Sequence, residues 1–162
     1  MKNYGFLIAL VALLSGCWKS DKQSSVSDSA KLHVVNVLAK EQYDDAHIKG
    51  SVHIDLDDLD AATASWDKQT PVVFYCSDYQ CTASSHAARE LKNNGFAHVY
   101  AYEGGMAEWY QLSKNDSSYK LEGPATESYL TREVPAHESA DAEVAVISAQ
   151  DLKDKMQSAG LL

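Results

Sequence analysis

Along the chain, short β-branched runs alternate with segments whose apolar residues recur at helical spacing. Leu32-His33-Val34-Val35-Asn36-Val37 predicts a buried parallel strand, and Ser51-Val52-His53-Ile54, introduced by Gly50, a second. Pro71-Val72-Val73-Phe74-Tyr75 is the clearest central strand, apolar throughout and ending at Cys76. Ala97-His98-Val99-Tyr100 is a fourth. The intervening segments predict a helical turn over 41–45, a short acidic helix within 55–64 and the strongest helix over 82–94. Ala83, Ala87, Ala88 and Leu91 share one face of that helix, Thr82 stands where a cap is expected, and Gly95 suits the left-handed residue past its end. Gly104-Gly105 opens a further helix through Tyr110. Strands alternating with helices predict an α/β fold, a parallel sheet flanked by helices on both faces, with ligands bound beyond the carboxyl ends of the strands. Cys76 stands at that end of the best strand.

The flanks divide the chain further. Residues 114–118 are a polar break, and Gly123-Pro124 starts a segment whose Tyr129-Leu130 could fold back on the domain. Residues 136–142 read as a linker, and Ser148 as the N-cap of a final helix to residue 158, with Leu152 and Met156 on one face and Gly160 as its stop. The domain is therefore placed at 32–130 and a tail at 131–162. At the other end, residues 5–14 are uninterruptedly apolar, the length of a signal-peptide core and well short of the roughly 20 residues of a membrane span. Leu14-Ser15-Gly16-Cys17 resembles the bacterial lipobox, which implies a lipoprotein signal segment at 1–17 and lipidation of Cys17. Trp18, where Asp would act as a retention signal, favours the outer membrane in a cell of Gram-negative type. Residues 18–31 are polar and serine-rich, a flexible tether. The expectation is an exported domain held on a membrane by its lipid, facing the periplasm or the cell exterior.

Charge and cysteine content narrow the function. The 162 residues carry 14 Lys+Arg against 23 Asp+Glu, a formal charge of -9. Nucleic acid is thereby excluded as a partner, because it demands a basic face that displaces counterions. Three cysteines make neither a disulfide scaffold nor a four-cysteine zinc cage. Cys76, Cys81 and His86 are spaced too widely for common zinc patterns and lack a fourth ligand, so neither a metal nor another cofactor is expected.

The chemistry points to Cys76-Ser77-Asp78-Tyr79-Gln80-Cys81-Thr82, between strand and helix. A sulfur there is expected to meet unpaired backbone N–H groups and the positive end of the helix dipole, which lower its pKa and would also hold a persulfide anion. Residues 32–111 resemble a rhodanese domain, a module that carries sulfur as a cysteine persulfide. His47-Ile48-Lys49-Gly50-Ser51, Val72-Val73-Phe74-Tyr75-Cys76 and Tyr102-Glu103-Gly104-Gly105-Met106-Ala107-Glu108-Trp109 carry the resemblance, in the family's order. It implies a five-stranded parallel sheet, Cys76 as the catalytic persulfide-forming residue and Ser77, Asp78, Tyr79, Gln80 and Cys81 as its cradle. The partners would be a sulfane sulfur donor and a thiol or other nucleophilic acceptor. A six-residue loop is the length that suits sulfur in this family, and His47 and Trp109 are expected to be structural.

Two departures qualify the resemblance. Asn36-Val37-Leu38 replaces the family's Asp-x-Arg, and Cys81 occupies the last loop position, where many active members have arginine. Asp78 adds a carboxylate, which at about 6 Å from an incoming anion costs roughly 1–3 kcal/mol. Weak thiosulfate–cyanide activity is therefore expected. Cys81 also offers an alternative reading, a thiol–disulfide redox protein in which it resolves or pairs with Cys76. A further alternative is a catalytically silent binding module on the same fold.

Overall fold

The computed structural model describes residues 32–132 and 143–162. The lipobox with Cys17, the tether at 18–31 and the whole 136–142 linker lie outside the described residues. Five strands form one parallel sheet: β1 (His33–Asn36), β3 (Val52–His53), β4 (Val72–Tyr75), β5 (Val99–Tyr102) and β7 (Ala145–Val146), in the order β3-β1-β4-β5-β7. A separate antiparallel ribbon pairs β2 (His47–Ile48) with β6 (Leu121–Glu122). The helices are α1 (Lys40–Asp45), α2 (Leu59–Thr63), α3 (Ala83–Asn93), α4 (Gly105–Ser113) and α5 (Ala149–Ser158), with 3-10 turns at Leu56–Asp58 and Ser128–Thr131.

β4 is buried along its whole length, as its unbroken apolar run predicts for a strand covered on both faces. Tyr75 and Tyr102 are register partners on β4 and β5 and so project from one face of the sheet. There the Tyr75 hydroxyl accepts the Ile48 N–H at 3.0 Å, and Trp109 of α4 meets Tyr102 edge-on with ring centroids 6.1 Å apart. Trp109 is fully buried and donates Nε1–H to the Lys120 carbonyl at 3.0 Å. α3 ends as its Asn94-Gly95 pair predicts. Gly95, at φ +90°, donates to the Lys92 carbonyl and Phe96 N–H to that of Leu91, which closes the helix in a Schellman arrangement.

The fifth strand comes from the segment assigned to the tail. β7 pairs with β5, and Ile147 N–H donates to the Ala101 carbonyl at 3.0 Å. α5 follows with a complete capping box. Ser148 Oγ accepts the Asp151 N–H while the Asp151 carboxylate accepts the Ser148 N–H. Leu152 and Met156 of α5 are fully buried in the common core. Residues 143–162 thus belong to the domain, and not to a tail outside it, because their apolar side chains complete its core. Both sheet edges are two-residue strands, and each shows a largely exposed valine, Val52 and Val146.

Candidate active site

Chain order puts Cys76 at the point where the sheet changes direction. From β1 the chain crosses to β3 on one side, and from β4 it crosses to β5 on the other. A crevice opens outside the carboxyl ends of strands at such a point, and Cys76 directly follows β4. The loop it starts is held from below by α4. Met106 N–H donates to the Cys76 carbonyl and Ala107 N–H to the Ser77 carbonyl, both at 2.9 Å. Two otherwise orphaned amides at the start of α4 are satisfied in this way. The approach is close enough to demand glycine. Gly105 has φ +61°, and a Cβ there would lie 2.6 Å from the Cys76 carbonyl oxygen.

The loop turns tightly over Cys76. Cys81 N–H donates to the Asp78 carbonyl at 3.0 Å, and Gln80 N–H to Asp78 Oδ1 at 2.9 Å. The resemblance implied that these two amides cradle the sulfur; they are instead committed within the turn. The turn brings residue 81 back onto residue 76, whose Sγ lies 3.2 Å from the Cys81 carbonyl oxygen and 3.5 Å from Ser84 Oγ. Cys76 is fully buried and Cys81 half-buried, both with free thiols.

The resting proton distribution reverses the expectation for Cys76. Its hydrogen bond with the Cys81 side chain, followed by burial, holds the Cys76 thiol protonated well above the ordinary 9.0. The Ser84 hydroxyl and N–H act in the opposite sense. Cys81 is pulled down to about 6 by its hydrogen bond with Cys76, by the N–H groups of Ala83 and Ser77, and by the Ser77 hydroxyl. The thiolate is therefore favoured on Cys81 first, because that sulfur receives the Ser77 amide of the loop and the Ala83 amide that starts α3, and remains more open to solvent.

The other loop residues have distinct places. The Asp78 carboxylate is buried, binds Gln80 N–H and faces Arg132 Nη1 at 3.7 Å. It is buried and paired with a guanidinium from a distant segment, and does not stand open before an incoming anion. Asp45 positions that segment. Its carboxylate accepts Thr126 N–H and Glu127 N–H, each at 3.0 Å, just before the 3-10 turn that leads to Arg132. Tyr79 donates its hydroxyl to Glu108 Oε1 at 3.1 Å, and burial, then the Glu108 charge, pushes the phenol up to about 12. Gln80 is exposed. Thr82 precedes α3 but makes no side-chain cap hydrogen bond; its helix-like backbone (φ −90°, ψ 0°) is not the extended one that a capping hydroxyl needs.

Beside the loop lies a cavity of about 200 Å³ lined by Asp78, Tyr79, Gly104, Glu108, Gln111 and Arg132. His86 is set apart, largely exposed and 3.8 Å from Glu90. Among the described residues no three His, Cys, Asp or Glu side chains cluster as metal ligands. His47 is structural in its contacts, with Nδ1 2.8 Å from the Tyr43 carbonyl and its ring stacked on Tyr43. Asn36 accepts the Leu38 N–H at 2.8 Å. Sequence reasoning missed Ser84, Glu108 and Arg132. Ser84 carried a readable signal, since it falls on the same helical face as Ala87, Ala88 and Leu91.

The chain matches the rhodanese-like domain family over residues 21–112. The thiosulfate sulfurtransferase GlpE of Coxiella burnetii is 30% identical over 76 residues, covering 47% of this chain and 69% of that protein. The enzyme of the same name from Stutzerimonas stutzeri is 30% identical over 95 residues, covering 59% of this chain and 85% of its own. A solved Bacillus halodurans structure superposes with a TM-score of 0.50 at 25% identity, over 58% of this chain and 65% of that one. Fold, loop position and these likenesses agree, and the chain belongs to the rhodanese-like domain family.

Proposed function

We propose that this protein is a lipid-anchored sulfurtransferase that carries sulfane sulfur as a persulfide on Cys76. The observation that carries the reading is the placement of Cys76, at the sheet's switch point, on a loop docked against the start of α4. In the resting loop Cys76 holds a proton and Cys81 is the adjacent acceptor. Passing that proton to Cys81 frees the Cys76 thiolate to attack the outer sulfur of a donor, whose remainder leaves with the bonding pair. The Ser84 N–H and hydroxyl and the start of α3 then face negative charge on the loaded sulfur. A thiol or other nucleophilic acceptor attacks the outer sulfur, takes it and returns Cys76 as thiolate. The neighbouring cavity, with Arg132 and Glu108 on its walls, gives donor or acceptor a place to dock.

Intact mass after exposure to inorganic polysulfide tests the loading. The expected result is a gain of one sulfur atom that Cys76→Ala abolishes. The same gain in Cys76→Ala would overturn the assignment of the carrier. Anchoring rests on Leu14-Ser15-Gly16-Cys17. Cys17→Ser is expected to move the protein out of the membrane fraction.

A further inference from the structure

The transfer cycle loads one thiol, yet the loop carries a second free thiol on the residue folded back against the first. The turn closed by Cys81 N–H on the Asp78 carbonyl folds residue 81 back until its carbonyl oxygen lies 3.2 Å from Cys76 Sγ. The Cys81 side chain also acts on the Cys76 thiol, holding its proton in place, so the two thiols belong to one local network. Cys81 is the more open of the two. Its sulfur receives the Ser77 and Ala83 N–H groups, which favour the thiolate, the form that attacks sulfur. A nucleophile thus belongs to the residue whose backbone lies against the atom that would carry the cargo.

We propose that Cys81 discharges the loaded loop as sulfide: its thiolate attacks Cys76 Sγ of the persulfide, forms a Cys76–Cys81 disulfide and expels the outer sulfur. The new bond joins the two cysteine sulfurs, and the bond between Cys76 Sγ and the outer sulfur breaks. The bonding pair leaves with that sulfur, which takes the proton that Cys81 gives up on becoming the attacking thiolate and departs as hydrosulfide. The sulfane sulfur is reduced by two electrons and the two cysteines are oxidised by one each, so the step needs no external oxidant. A dithiol reductant then restores both thiols by exchange. The protein gains a second output, release of sulfide, and the disulfide blocks reloading until it is reduced. The proposal rests on Cys76 being the loaded residue.

The test uses the full chain, reduced, freed of reductant, exposed briefly to inorganic polysulfide, desalted and held in thiol-free buffer. Sulfide and intact mass are followed together. The wild type is expected to release one equivalent of sulfide and to end two hydrogens lighter than the reduced protein. Cys81→Ser, and independently Cys81→Ala, are expected to load, keep the extra sulfur and lose sulfide release. A wild type that keeps the extra sulfur with no disulfide overturns the proposal alone, a result that needs no variant. So does a Cys81→Ser protein that releases sulfide as the wild type does. Failure of every form to load removes the persulfide reading, and this proposal with it.

Discussion

The Tyr75 hydroxyl accepts the Ile48 N–H and meets Ser51 Oγ at 2.8 Å, with all three residues buried. Tyr75→Phe leaves that N–H without a partner in a place water does not reach. The expected cost is about 1–3 kcal/mol, read as a lower urea midpoint at unchanged slope. The two thiols make a different prediction. Iodoacetamide should modify Cys81 with a midpoint near pH 6, while Cys76 resists labelling to well above 9.0. Peptide mapping across pH checks this, and a Cys81 midpoint at the ordinary 9.0 would contradict it. The stability effects have opposite signs. Cys81 loses its proton more easily when folded, so its contribution is full above pH 9 and is lost as pH falls through about 6. Cys76 holds its proton more tightly when folded, so its contribution is full below pH 9 and is lost as pH rises through its elevated value.

α4 supports the loop through two amides and one missing side chain. Gly105→Ala puts a Cβ on a left-handed residue, at about 1–2 kcal/mol, and against the Cys76 and Ser77 carbonyls. The expected outcome is a destabilised protein that loads sulfur poorly even well below its melting temperature, measured by intact mass beside thermal unfolding. Elements differed in how far their residues announced them. β4 was readable because four consecutive buried apolar residues have one explanation in a parallel sheet. β7 was not, because Ala145 and Val146 are exposed and two residues carry no period. The loop's position followed from strand, cysteine and helix in succession. Its electrostatics did not, because Arg132 stands more than fifty positions from Asp78 and reaches it only through Asp45 and the 3-10 turn. The Cys81 thiolate was also hidden, since which sulfur a loop's amides reach depends on how the turn closes and not on their order.

The family match ends at residue 112, yet the sheet and its core are completed only by residues 143–162. Lys153 fastens this addition. Its Nζ lies 3.1 Å from Asp116 Oδ2 and 4.2 Å from the Tyr119 ring centroid, and so ties α5 to the turn after α4. Leu152→Ala should therefore weaken the whole domain in one cooperative transition, by about 2–5 kcal/mol. A separate early transition of α5 in calorimetry would show instead that it folds apart from the sheet. The two-residue strands at either margin have their own consequence. Exposed strand edges are templates on which other chains add in register and seed aggregates. Margins as short as β3 and β7 offer almost no row of free amides and carbonyls to copy, and a net charge of -9 repels a second molecule before contact. Among the described residues this sheet is terminated against polymerisation by the brevity of its margins, so chains crowded together find little of its edge along which to propagate.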